Sequence, residues 1–158
     1  HATSMGDSYA GPNLISPAMY REFGVPYEKK VVEAVRDLPG AYSIHICGNT
    51  NSIIEDMGRL GSKILEVDWQ VDMGHARSVI PDDVVLMGNI NPSDPMCIGT
   101  PETVLAQVQN IVETTRGKGL IISSGCALGE NTKPENMRAL VESAKRFGTY
   151  EQLCALQA

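Results

Sequence analysis

The chain has 158 residues, 42% of them apolar and 20% charged, which suits one folded core and argues against both disorder and two full domains. Its net charge of −6, from 13 basic against 19 acidic residues, argues against a nucleic-acid backbone as partner and disfavours anionic membrane surfaces. No apolar run nears the roughly 20 residues that span a bilayer, and His1 to Gly11 has neither the basic start nor the apolar stretch of a secretory signal.

Residues 1–15 read as an N-terminal loop, punctuated by Gly6, Gly11 and Pro12, with Asp7 and Ser8 polar and without period. Ser16 then predicts a helix N-cap with Pro17 at the first helical position. Tyr20 and Phe23 continue that helix face. Pro26 should kink or restart it, and Tyr27, Val31, Val35 and Leu38 follow at helical spacing before Pro39-Gly40 stops the element. Glu28, Lys29 and Lys30 read as a solvated face of this helix.

From there strands and helices alternate. Ala41–Ile46 predicts a strand, followed by a helix carrying Ile53, Ile54, Met57 and Leu60. Lys63–Val67 predicts the second strand, ending at Asp68-Trp69, and Met73–Val79 a short helix. Val84–Met87 predicts the third strand, with Gly88 to Pro92 opening a longer loop. Thr100-Pro101 starts an amphipathic helix with Val104, Leu105, Val108, Ile111 and Val112 on one face, stopped by Gly117. Leu120–Ser123 predicts the fourth strand. A helix from Pro134 should turn Met137, Leu140, Val141, Ala144 and Phe147 inward and stop at Gly148, and a tail helix is expected around Glu151 to Leu156.

The order is one helix, then strand and helix four times. Short, continuously apolar strands separated by helices predict an α/β fold with a parallel sheet covered by helices. Strand starts about 20 to 35 residues apart match the units of a TIM (β/α)8 barrel, of which four strands are half. An open, doubly wound four-stranded sheet is the alternative, although no Gly-x-Gly-x-x-Gly follows any strand. No linker divides the chain, so residues 1–158 read as a single partial domain.

Four cysteines in this length do not make a disulfide scaffold, and a reducing, cytoplasmic setting is expected. His45 and Cys47 alternate with Ile46 at the end of the first clear strand, so both point to one face. Cys126 follows the fourth strand at the same end of the sheet, where such folds place their sites. One imidazole and two thiolates make a three-ligand set for Zn²⁺ that leaves a fourth position open. A small buried packing role is the competing reading for these cysteines. Cys97 and Cys154 match no strand end and read as structural or free thiols. His75 reads as a surface group, or one that supports a ligand from behind, rather than a ligand itself, and Trp69 reads as packing.

His45-x-Cys47 with Cys126 far downstream resembles the zinc motif of the corrinoid:thiol methyltransferases in the uroporphyrinogen decarboxylase superfamily. Gly6-Asp7-Ser8, Leu14-Ile15-Ser16-Pro17 through Phe23, Val67-Asp68-Trp69, Gly88-Asn89-Ile90-Asn91-Pro92 and Thr100-Pro101-Glu102 resemble further stretches of that superfamily. The likeness covers nearly the whole chain but only the C-terminal half of the family's barrel. It implies a TIM barrel with Zn²⁺ at its C-terminal mouth, held by His45, Cys47 and Cys126. There the metal would hold a small thiol acceptor, such as coenzyme M, for methylation by a methylcobalamin-type corrinoid carried on a partner protein. Asp7 and Asn89 are the expected substrate-binding residues, lining the mouth to orient the acceptor or help position the metal; the competing readings are that Asp7 caps or turns its loop and that Asn89 satisfies backbone groups in a Gly-Asn turn.

Porphyrinogen decarboxylation, the namesake activity, is the alternative; it uses no metal, and its substrate-binding groups lie largely in the half this chain lacks. A non-catalytic half-domain that binds zinc or a partner is a further reading. A half barrel leaves two sheet edges unpaired, so the chain is expected to join a missing N-terminal half-barrel or a second copy of itself.

Overall fold

The computed structural model describes residues 2–157. Five parallel strands form one sheet in the order β1-β2-β3-β4-β5, with β1 at Ala2–Gly6, β2 at Ala41–Ile46, β3 at Ile64–Val67, β4 at Val85–Ile90 and β5 at Leu120–Ser124. Each strand lies beside its sequence neighbour, as in a barrel wall, and every crossover carries helix. The helices are α1 (Pro17–Met19), α2 (Val25–Val35), α3 (Ile54–Gly58), α4 (Met73–Val79), α5 (Pro101–Thr115), α6 (Pro134–Phe147) and α7 (Tyr150–Gln157).

The expected N-terminal loop of residues 1–15 is corrected over Ala2–Gly6, which pairs along β2 from Ala2–Ala41 to Gly6–His45. Ala-Thr-Ser-Met-Gly has no apolar alternation to reveal a strand; its backbone hydrogen bonds to β2 make it one. The expected third strand also grows: β4 runs on through Gly88, Asn89 and Ile90, paired with Ile122, Ser123 and Ser124.

The first helical segment departs from the expected face. A π-helical turn over Tyr20–Gly24 joins α1 to α2, and Pro26 takes the second position of α2, where its missing N–H costs nothing. A π turn carries more residues than an α turn, so the face opened by buried Tyr20 continues at Gly24, Glu28 and Val32. Phe23, Tyr27 and Val31 are turned outward, and Glu28, expected in solvent, is 2% exposed.

Register separates the two faces of the sheet. Ile44, Leu65 and Leu86 share a row on the helix-covered face, and all three are fully buried. Gly6, His45, Glu66, Met87 and Ile121 share the next row, on the opposite face. His45, Glu66 and Met87 are only half-buried, and Ile121 is exposed. One face therefore carries the core, and the other, the inner wall of a barrel, is open. α6 shows the same imbalance. Asn136, Leu140 and Ser143 face inward, whereas Met137 and Val141, expected in the core, are exposed; α6 packs chiefly on α5, with a smaller contact to β5. Among the described residues, no helix is long and apolar enough to cross a membrane.

Candidate metal centre

β2 ends at Ile46, and Cys47 follows directly, with Gly48 turning the chain at φ +87°, a conformation glycine adopts without a Cβ clash. The Gly48 N–H donates to Asp68 Oδ2 at 2.9 Å, tying the end of β2 to the end of β3. Cys126 follows β5 through Gly125, whose N–H donates to the Ile90 carbonyl at 2.8 Å. Gly125 lies against the Trp69 backbone; a Cβ there would collide with the Trp69 nitrogen and stand 2.8 Å from its Cα. These ties aim residues from distant parts of the chain at one point above the inner wall.

The structure brings His45, Cys47 and Cys126 together: one ligand atom from each lies within 4.8 Å of the others. Cys47 Sγ is 3.1 Å from His45 Nε2 and 3.8 Å from Cys126 Sγ. Two sulfurs held at ~2.3 Å by one tetrahedral zinc stand ~3.8 Å apart, so the spacing of the thiols matches an edge of that polyhedron. His45 Nδ1 lies 3.0 Å from the Glu66 carbonyl, which can only accept, so Nδ1 carries the proton and Nε2 presents its lone pair to the thiols. Ser8 Oγ donates to Cys47 Sγ at 3.0 Å. The donor set fits one divalent cation such as Zn²⁺. Burial pushes the Cys126 thiol above its ordinary range, an effect the Ala127 backbone N–H opposes and nearby Cys47 and Asp68 reinforce.

A cavity of about 400 Å³ opens over the cluster, lined by the three residues together with Glu66, Met87 and Ser123. Glu66 and Ser8 carry no signal in the sequence by themselves. Glu66 becomes visible once β3 is registered on β2, where it faces the same side as His45, with its carboxylate taking a short hydrogen bond from Ser43 Oγ. Recognition of β1 would have placed Ser8 just past a strand end.

The two expected substrate-binding residues stand differently. Asp7 lies at the mouth, its N–H donating to the His45 carbonyl at 2.9 Å, with its side chain making no cap to the turn that follows. Asn89 is buried, and Nδ2 donates to the carbonyls of Asp68 at 3.0 Å and Val71 at 2.8 Å. It lines a separate cavity of about 530 Å³ with Trp69, Asn91 and Gln107, so only Oδ1 remains to offer a ligand. Trp69, expected to pack, is 46% exposed at that cavity. Cys97 lies apart, donating to the Pro92 carbonyl at 3.2 Å, and Cys154 is exposed on α7. His75 is exposed at the start of α4.

The methylcobamide:CoM methyltransferase MtbA of Methanosarcina mazei is 33% identical over 141 residues, which are 89% of this chain and 40% of that protein. A uroporphyrinogen decarboxylase of Synechococcus sp. is 35% identical over 153 residues, 92% of this chain and 42% of that one. The solved structure of a methyltransferase from Methanosarcina mazei superposes with a TM-score of 0.82 at 26% identity, covering 94% of this chain and 42% of its own. The chain thus spans about two fifths of the length of the relatives it matches, and its five strands form part of a TIM-barrel-like wall. The family model for uroporphyrinogen decarboxylase (URO-D) matches residues 1–147, and the chain belongs to that family.

Proposed function

We propose that the chain is the zinc- and thiol-binding part of a methyltransferase that moves a methyl group from a methylated corrinoid on a partner protein to a small thiol. The observation that carries this reading is the meeting of one imidazole nitrogen and two sulfurs above the open face of the sheet. Zinc held by His45, Cys47 and Cys126 would keep the acceptor sulfur deprotonated at neutral pH, where a free thiol of pKa ~8.5 is mostly protonated.

The protein's own residues supply the rest. Two thiolate ligands lower the electrophilicity of the metal, so the acceptor sulfur keeps its nucleophilicity. Nδ1 of His45, bonded to the Glu66 carbonyl, holds the ring in the ligating tautomer. The cavity beside Glu66 and Met87 receives the acceptor. Asp7, beside the cluster, orients it, and Asn89 shapes the mouth by holding the Asp68–Val71 turn. The open inner wall takes the missing N-terminal half-barrel. Free thiols suit the reducing cytoplasm.

Relatives of both activities match the chain equally well, and the His/Cys/Cys cluster favours methyl transfer, since decarboxylation has no use for it. Metal analysis, combined with an assay of methylcobalamin demethylation in the presence of coenzyme M, tests the reading. Stoichiometric zinc and chelator-sensitive thioether formation are expected. Absence of bound zinc, or chelator-insensitive release of CO₂ from a porphyrinogen, would overturn it.

A further inference from the structure

We propose that Ser8 is a positioning residue of the metal centre, its hydroxyl setting how much charge the Cys47 sulfur gives to the cation. The inference rests on the zinc reading above and adds a residue to it. Ser8 Oγ donates to Cys47 Sγ at 3.0 Å across 39 positions of sequence. A thiolate that accepts a hydrogen bond shares part of its charge with the donor and has less to give a metal.

The loop is built to hold that hydroxyl in place. The Asp7 N–H is bonded to the His45 carbonyl at 2.9 Å, which fixes the chain against the end of β2 one residue before Ser8. The Ala10 N–H returns to the Asp7 carbonyl at 3.1 Å, closing the turn around Ser8. Gly11 then fits tightly against β2, where a Cβ would stand 3.0 Å from Ile46 Cγ2 and 3.2 Å from the Cys47 carbonyl. Ser8 itself is exposed, and Asp7, not Ser8, occupies the cap position of the turn. The fold anchors the backbone on both sides of Ser8, while the hydroxyl is directed at a sulfur. Cys126 Sγ, by contrast, meets Cys47 Sγ at 3.8 Å, so Cys47 is the sulfur damped by the Ser8 hydroxyl.

The test is cobalt(II) substitution of the chain joined to the N-terminal half of a family barrel, read by absorption spectroscopy, in the wild type, Ser8→Ala and Ser8→Thr. Sulfur-to-cobalt charge-transfer bands are expected in all three. In Ser8→Ala the richer Cys47 sulfur should move its band to longer wavelength, with cobalt stoichiometry and far-UV circular dichroism unchanged. Ser8→Thr, which keeps the hydroxyl, should restore the wild-type position. Identical bands in wild type and Ser8→Ala, or an equal shift in Ser8→Thr, would overturn the role of Ser8. No sulfur–cobalt band in the wild type would instead overturn the metal site, and the Ser8 role with it.

Discussion

Cys47 Sγ lies 3.8 Å from Cys126 Sγ although 79 positions separate the two residues. Their strands, β2 and β5, have β3 and β4 between them, so a flat sheet would hold the strand axes ~14 Å apart. The sulfurs meet because the sheet curls and because both residues sit just past a strand end on its concave side. The sheet's curvature therefore sets the spacing of the cluster.

Replacing Cys126 with Ser removes one of three protein ligands and substitutes a hydroxyl that stays protonated at neutral pH. Zinc retention after dialysis against a chelator should be lost, while circular dichroism stays near wild type because Cys126 is only part-buried. Stoichiometric zinc in Cys126→Ser, measured by elemental analysis, would rule out the ligand set.

Gly125→Ala tests the same site through packing. The new methyl group would meet the Trp69 backbone, which cannot swing aside as a side chain can. The end of β5 must move, taking Cys126 out of reach of Cys47. A loss of metal affinity of roughly 10-fold or more is expected, measured by competition with a chromophoric chelator. Wild-type affinity would show that the strand ends tolerate the shift.

Tyr20 donates to Glu28 Oε2 at 2.6 Å inside the helix layer, and Glu28 Oε1 is buried with no partner. Tyr20→Phe leaves that carboxyl without its donor. The expected loss in a denaturation experiment is about 1–3 kcal/mol, the cost of an unsatisfied buried polar group.

The same carboxyl predicts a pH dependence. Burial raises the Glu28 pKa above the ordinary carboxylate range; nearby Asp7 adds to this, and the Tyr20 hydrogen bond opposes it. Between the unfolded pKa and the raised folded one, the folded state holds the proton and the unfolded state does not. The contribution of this group to stability is thus full below the unfolded value and falls as pH rises through that window. In Glu28→Gln that component should vanish, giving a flatter stability profile from acid to neutral pH. An unchanged slope, measured by urea denaturation across that range, would show that Glu28 does not titrate abnormally.

The open inner face and the exposed stripe of Met19, Phe23, Tyr27 and Val31 predict association. β1 and β5 are also free edges of a parallel sheet. In light scattering, the chain alone should be heavier than 17.1 kDa or aggregate, and should become well behaved when joined to the N-terminal half of a family barrel. A stable monomer at that mass would refute the prediction.

By itself the sequence determined the alternation of strand and helix from Ala41 onward, because buried parallel strands read as short apolar runs and their helices carry clear caps and stops. It also singled out His45, Cys47 and Cys126, since residue type and position at a strand end are local properties. Tertiary structure alone decided the rest. β1 is a strand because β2 pairs with it, the buried face of the first helical segment follows from a wide turn at Tyr20–Gly24, and Ser8 and Glu66 reach the cluster only through strand register. Periodicity registers which residues repeat along one element; pairing, curvature and long-range contact arise between elements, and no window of sequence contains them.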